Sequence, residues 1–66
     1  MVANKSKLTL AMARACMNLA DLAKAADMPP QAVNRVLLGR SVRPATLGKL
    51  ARALGCDPAD IIEERS

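Results

Sequence analysis

The chain has 66 residues, with ten lysines and arginines against six aspartates and glutamates, two cysteines, and neither histidine nor any aromatic residue. A chain this short forms one small domain, which buries only about 60% of the surface that its unfolded form exposes. Two cysteines without histidine do not make the usual four-ligand zinc site, and no base is present to activate a nucleophile. We therefore expect no enzyme, no catalytic residue, no metal, no cofactor and no small-molecule ligand. The absence of aromatic side chains argues against binding to single-stranded nucleic acid, which depends on the stacking of bases on aromatic rings.

The positive charge is concentrated in the middle of the chain. No acidic residue occurs from Met28 to Cys56, and most of the acids lie in the last ten residues. The cations of this acid-free stretch are Arg35, Arg40, Arg43, Lys49 and Arg52. Soluble surfaces normally mix both signs of charge, so this distribution favours a polyanionic partner.

The N-terminal segment combines lysines with a run of small apolar residues, as signal peptides do. Arg14 interrupts that run, and cleavage nearby would remove the first helix of a minimal domain. No run approaches the roughly 20 apolar residues that a membrane span needs. We therefore expect a soluble cytoplasmic protein without a membrane partner, in which Cys16 and Cys56 are small core residues rather than a disulfide.

Apolar residues recur at helical spacing along the chain and predict an all-α fold, a compact bundle of about five short helices in one domain. Ser6 and Asn18 are the expected N-caps of the first two helices, and Asp21 completes a capping box with Asn18. The predicted helices span residues 6–17, 18–26, 30–38, 45–54 and 58–63.

Turn residues separate these helices. Asp27 tolerates a left-handed backbone better than most residues and is expected in the turn between the second and third helices. Pro30 suits the first turn of a helix, where its missing N–H has no helical partner to lose. Gly39 and Gly55 are the expected left-handed caps of the third and fourth helices. The second and third helices therefore form a helix-turn-helix pair.

The third predicted helix carries polar residues on the face opposite Val33 and Val36. In a helix-turn-helix the second helix of the pair enters the major groove of DNA. The candidate base-reading residues, which share this face at helical spacing, are Pro30, Gln31, Asn34 and Arg35. The amides of Gln31 and Asn34 can pair with adenine, and Arg35 can make a two-pronged contact with guanine.

Basic and polar residues flank this helix at positions suited to the DNA backbone. The candidate phosphate-binding residues are Asn18, Gly39, Arg40, Ser41, Arg43 and Lys49. By itself the polar helix face is better explained as the solvated side of an amphipathic helix. The flanking charge of Arg40 and Arg43 favours the interpretation as a DNA-binding surface.

An ordered set of short motifs covers nearly the whole chain. It begins with Leu22-Ala23 in the second predicted helix, continues with Val33 and Val36 in the third, and ends that helix at Gly39. The run RPATLGKLARALGCDPADII follows over residues 43–62. Together these motifs resemble the helix-turn-helix domain of the phage repressor and Cro (XRE-type) family.

The resemblance implies a bundle of five helices, a homodimer on a pseudo-palindromic operator and control of transcription. It places the base-reading positions at Pro30, Gln31 and Arg35, and the loop that contacts the DNA backbone at residues 38–43. We therefore expect a sequence-selective regulator that binds double-stranded DNA. Ile61 and Ile62 are adjacent, so one can enter the core while the other points outward as a dimer contact.

A second interpretation is a protein-interaction module on the same fold, of the antitoxin or anti-repressor type. Leu19, Leu37 and Leu38 stand where the family often has polar residues, and together they would form an exposed apolar patch. The two interpretations are compatible, because an antitoxin can also bind its own operator. Exposure of the three leucines in the folded protein distinguishes them.

Overall fold

Four α-helices and a short 3-10 turn make up the computed structural model, which describes residues 1–63. Their bounds are α1 Lys5–Arg14, α2 Leu19–Ala25, α3 Pro30–Leu37, α4 Pro44–Leu54 and the 3-10 turn Pro58–Asp60. The predicted all-α class is confirmed, but the expected helix over 58–63 is wrong. After the turn, Ile62 pairs with Ala3 in an isolated antiparallel bridge, and this extended pairing prevents a helix from continuing.

The first helix begins and ends earlier than the sequence predicted. Its N-cap is Asn4 rather than Ser6, because the Asn4 N–H donates to Ile61 O at 2.8 Å and holds Asn4 in an extended conformation. The Asn4 side chain then accepts from the Lys7 N–H at 2.9 Å. At the other end Cys16 adopts a φ of 56°, which stops α1 short of Met17.

All four α-helices end in the same way, with a left-handed residue followed by an N–H that reaches back five residues. The bonds run from Met17 to Met12 O at 2.9 Å, from Met28 to Ala23 O at 2.9 Å, from Arg40 to Arg35 O at 3.1 Å and from Cys56 to Ala51 O at 3.0 Å. The left-handed residues are Cys16, Asp27, Gly39 and Gly55. This is the Schellman arrangement. It confirms the predictions for Asp27, Gly39 and Gly55, whereas Cys16 was not predicted.

The core is built from aliphatic side chains. The largest fully buried ones are Leu8, Leu22, Leu47, Leu50, Ile61, Val33 and Val36. Ile61 reaches this core from just beyond the 3-10 turn, so the C-terminal segment helps to close the bundle. In the absence of aromatic residues, the side chains of leucine, valine and isoleucine fill the core.

The first four residues form an extended segment, which no sequence pattern indicated. Besides the Asn4 bond to Ile61, the Glu63 N–H donates to Val2 O at 2.8 Å. The Asn4 side-chain amide donates to Glu63 Oε2 at 3.2 Å. Ala3 between them is buried, so this segment is part of the folded domain.

The two cysteines differ from their predicted core positions. Both are free thiols; Cys16 is exposed and Cys56 is half-buried against the core. Partial burial raises the pKa of the Cys56 thiol, and the negative charges of Asp60 and Asp57 raise it further. Among residues 1–63 no helix has the length and apolar character to cross a bilayer.

Candidate nucleic-acid interface

The helix pair α2–α3 is fixed by a capping box at its start. Asn18 Oδ1 accepts from the Asp21 N–H at 2.8 Å, and Asp21 Oδ2 accepts from the Asn18 N–H at 3.1 Å. The predicted capping box is therefore confirmed. Because Asn18 Oδ1 is occupied within the helix, its side-chain NH₂ is the group left to donate to an outside phosphate.

No side chain caps the start of α3. Pro29 occupies the N-cap position and Pro30 the first helical position, where proline has no N–H to lose. The Ala32 and Val33 N–H groups both donate to Pro29 O, at 3.0 and 3.4 Å. The Gln31 N–H is the first-turn amide without an intrahelical partner, and it stands at the same end of the helix as the Gln31 side chain.

The four candidate base-reading residues lie on one exposed face of α3. Pro30 and Gln31 stand one helical turn before Asn34 and Arg35, and all four are exposed. Val33 and Val36 on the opposite face are fully buried and fix the rotation of the helix about its axis. The fold thus presents to solvent the face that the sequence selected.

Arg40 and Arg43 of the following loop lie beside Arg35 of this face, and we call the three the arginine cluster. A shallow groove of about 290 Å³ brings Arg35 of α3 together with Arg40, Ser41 and Arg43 of the loop between α3 and α4. Gly39, at a φ of 84°, turns the chain into this loop. Of the six candidate phosphate-binding residues, the structure thus gathers Gly39, Arg40, Ser41 and Arg43 next to the C-terminal half of α3.

The N-terminus of α4 opens onto the same groove. Arg43 is the N-cap residue, no side chain caps the helix, and the first turn contains no acid. Thr46, in that first turn, lines the groove with Arg43. The unpaired first-turn amides and the helix dipole favour an anion here. Thr46 was missed from the sequence, although its position two residues after Pro44 in an acid-free stretch was a usable signal.

The loop is tied to the N-terminal segment. The Val42 N–H donates to Met1 O at 2.6 Å, and the half-buried Val42 side chain packs against the core. Arg40, Ser41 and Arg43 remain exposed around this fixed point. No sequence signal linked residue 1 to residue 42, since they belong to no common periodic pattern.

Lys49 lies apart from the arginine cluster. It shares a second groove, along α4, with Arg52 and Gly48. Asn18 is likewise separate, at the start of α2. Arg40, Ser41 and Arg43 thus line one groove next to Gly39, whereas Lys49 and Asn18 do not line it; all six residues are exposed.

The structure corrects one of the two candidate dimer contacts, and it does not form the candidate apolar patch. Ile61 is fully buried in the core and so is corrected from a surface contact to a core residue, while Ile62 is half-buried beside Ala3. Leu19 and Leu37 are half-buried against the core, whereas Leu38 is 65% exposed. The three leucines do not form a continuous exposed patch, and Leu38 stands alone.

Comparison with known proteins gives a consistent result. A family model described as a Cro/C1-type helix-turn-helix DNA-binding domain matches residues 7–64. A solved structure described as "Phpd with cadmium complexed with hydroethylphosphonate (HEP)" is 26% identical, with a TM-score of 0.84. The match covers all of this chain and 14% of that one, so the chain spans a small part of its solved relative. No curated protein gave a significant match. The family match extends over most of the chain, which therefore belongs to the Cro/C1-type helix-turn-helix DNA-binding domain family.

Proposed function

We propose that the protein is a sequence-selective regulator of transcription that binds double-stranded DNA as a homodimer, with α3 in the major groove. The observation that carries the proposal is the position of the exposed α3 face beside the loop arginines Arg40 and Arg43 and the uncapped start of α4. A groove-reading face and an adjacent phosphate site are the two parts that a small DNA reader requires.

The exposed face of α3 supplies the base contacts. Gln31 and Asn34 present amide groups that match the N6 and N7 edge of adenine, and the Arg35 guanidinium matches the O6 and N7 edge of guanine. Pro30 contributes an apolar surface at the tip of the helix, suited to a thymine methyl group. Because Val33 and Val36 are buried beneath them, the helix that carries these side chains keeps a fixed rotation about its axis.

The arginine cluster supplies backbone contacts. Arg40 and Arg43 neutralise phosphates, while Ser41, the Gly39 backbone and the first-turn amides of α4 donate to phosphate oxygens. Lys49 and Arg52, which share a groove along α4, neutralise neighbouring phosphates, and the Asn18 NH₂ group donates to one at the start of α2. If each protomer neutralises about four phosphates, log K falls against log salt with a slope near −7 for the dimer.

Regulation follows from occupancy of the operator. Two copies place their α3 helices in successive major grooves about 34 Å apart, and the bound dimer excludes other proteins from that stretch of DNA. The protein regulates transcription in the cytoplasm, without catalysis and without a cofactor.

Titration of a labelled duplex and of one of its separated strands, over a range of salt concentrations, tests the DNA-binding part of the proposal. We expect tighter binding to the duplex, because the chain has no aromatic side chain on which unpaired bases can stack. We also expect the steep salt dependence given above. Equal affinity for strand and duplex, or affinity independent of salt, would contradict the proposal.

One observation favours a second function, that of a protein-interaction module of the antitoxin or anti-repressor type. Leu38 is 65% exposed next to Arg35 and Arg40, and an exposed apolar side chain beside two arginines suits an acidic, partly apolar partner. The fold also occurs inside the much longer Phpd chain, where it forms part of a larger protein. If the wild type binds no duplex even at low salt, the Leu38 surface becomes the leading candidate for the functional site.

A further inference from the structure

A groove of about 510 Å³ separates α1 from the C-terminal segment. One side is α1, whose Leu10 and Arg14 line the groove; the other is formed by Leu54 and the 3-10 turn with Asp57 and Asp60. It shares no lining residue with the arginine cluster described above. A partner in this groove therefore leaves the α3 face free.

The bottom of the groove is apolar and partly uncovered. Leu54 is buried at its base, but Leu10 on the rim is 51% exposed. Leu10 and Leu38 are the two leucines with the greatest exposure among residues 1–63. An exposed leucine on the rim of an apolar groove gains from burial when a second surface covers it.

The two sides of the groove carry opposite charges. Lys7 and Arg14 belong to the α1 side, and Asp57 and Asp60 to the other. Asp57 Oδ1 accepts from the Ala59 N–H at 2.8 Å, and Asp60 Oδ2 accepts from the Asp57 N–H at 3.2 Å. Each carboxylate thus uses one oxygen to cap the turn and keeps the other for a partner.

We infer that this groove is the homodimer contact. In the dimer, α1 of each copy covers the groove of the other copy. Under two-fold symmetry each patch must complement itself. This one does: the cations of one α1 face the acids of the other copy, while the two Leu10 side chains enter the apolar grooves. The inference rests on the homodimer of the proposed function and gives it a surface, which the buried Ile61 does not provide.

Sedimentation equilibrium of the full chain at concentrations up to about 1 mM, a range that populates even weak dimers, tests the inference. The variants are Leu10→Ala and Arg14→Glu. Their matched controls are Leu38→Ala, the other highly exposed leucine, and Lys24→Glu, which is also a cation in the last turn of a helix. All four side chains are exposed, so the substitutions should not disturb the core. Circular dichroism should therefore show that all four variants are folded.

We expect the wild type to dimerise and Leu10→Ala to raise the dimer dissociation constant by about 30-fold or more, since each dimer loses two leucines. Arg14→Glu should raise it similarly, and added salt should weaken the wild-type dimer. Leu38→Ala and Lys24→Glu should match the wild type. A wild type that stays monomeric overturns the inference, and so does a dimer that responds equally to the variants and their controls.

Binding to a duplex that carries one half-site separates this inference from the proposed function. Such a duplex needs only one protomer, so the Leu10→Ala variant should bind it as well as the wild type. Normal half-site binding by a wild type that does not dimerise through the groove leaves DNA recognition intact and removes the dimer contact. A groove-dependent dimer that binds no duplex leaves the contact intact and removes DNA recognition.

Discussion

The Val42 N–H donates to the Met1 carbonyl oxygen at 2.6 Å, so the first residue of the chain holds the loop that carries the arginine cluster. Arg40 and Arg43 lie on either side of Val42 in that loop. The same N-terminal segment pairs through Ala3 with Ile62. The N-terminal segment thus connects the loop of Arg40 and Arg43 to the C-terminal end of the domain.

Deletion of residues 1–3 should weaken both the fold and DNA binding. Two backbone hydrogen bonds, accepted by Met1 O and Val2 O, are lost. At about 1 kcal/mol each, their loss lowers the free energy of unfolding by about 2 kcal/mol, and the lost burial of Ala3 adds to this. Urea denaturation measures the first effect and duplex titration the second. Met1→Ala is the control, because it keeps the carbonyl group; a deletion variant that behaves like this control would contradict the account.

Arg43→Ala should weaken binding to all duplex sequences alike. Arg43 is proposed to bind phosphate, so its removal should leave base preference unchanged and make the salt slope shallower by about 1 for each protomer. Titration of two unrelated duplexes over a range of salt concentrations measures both effects. Lys5→Ala, an exposed cation in the first turn of α1, should leave both nearly unchanged. A shift in base preference for Arg43→Ala would show that the roles of the arginines are wrongly divided.

Cys16→Gly should stabilise the protein. Cys16 has a φ of 56° at the end of α1, and a left-handed backbone costs a residue with a side chain roughly 1–2 kcal/mol. Glycine avoids that cost but adds entropy to the unfolded chain, so we expect a net gain of about 1 kcal/mol in the free energy of unfolding.

Ala13→Gly is the matched control, because Ala13 is exposed within α1 and glycine there should cost about 1 kcal/mol. Thermal denaturation compares both variants with the wild type. A lower melting temperature for Cys16→Gly would mean that the thiol or its Cβ makes a favourable contact at this position.

Alkaline pH should lower stability through Cys56. Burial raises the pKa of the Cys56 thiol in the folded protein, so the unfolded chain releases the proton first. The stability that the neutral Cys56 thiol contributes is therefore complete below the pKa of Cys56 in the unfolded chain. It is lost as pH rises through the pKa of Cys56 in the folded protein. Urea denaturation at about pH 7 and about pH 10 should show a smaller loss for Cys56→Ala than for the wild type or the exposed-site control Cys16→Ala. Identical pH profiles for all three would contradict this assignment.

Local patterns predicted much of the fold and of the candidate site. Val33 and Val36 at helical spacing defined the buried side of α3, and this placed Gln31, Asn34 and Arg35 on the exposed side. Positive-φ caps were predicted at Gly39 and Gly55, because glycine accepts that conformation without cost. These features depend only on residues within a turn or two of one another.

Features that depend on distant partners were missed. Asn4 rather than Ser6 caps α1 because Asn4 is held by Ile61, and the last helix is replaced by a 3-10 turn because Ile62 pairs with Ala3. Ile61 was one of two adjacent isoleucines, and only the folded chain decides which of the two enters the core. Such long-range pairings leave no periodic signal in a single sequence.

We propose that α3 reads DNA sequence through Arg35, whereas Arg40 and Arg43 in the loop after α3 bind phosphate. Selection of sites from a random double-stranded pool at about 150 mM salt, with wild type and Arg35→Ala in parallel, tests it most directly. We predict a two-fold symmetric site for the wild type. For Arg35→Ala we predict lost preference at one base pair in each half, at a cost of about 1–3 kcal/mol. No enriched sequence for the wild type, or the same site for both proteins, would contradict the account.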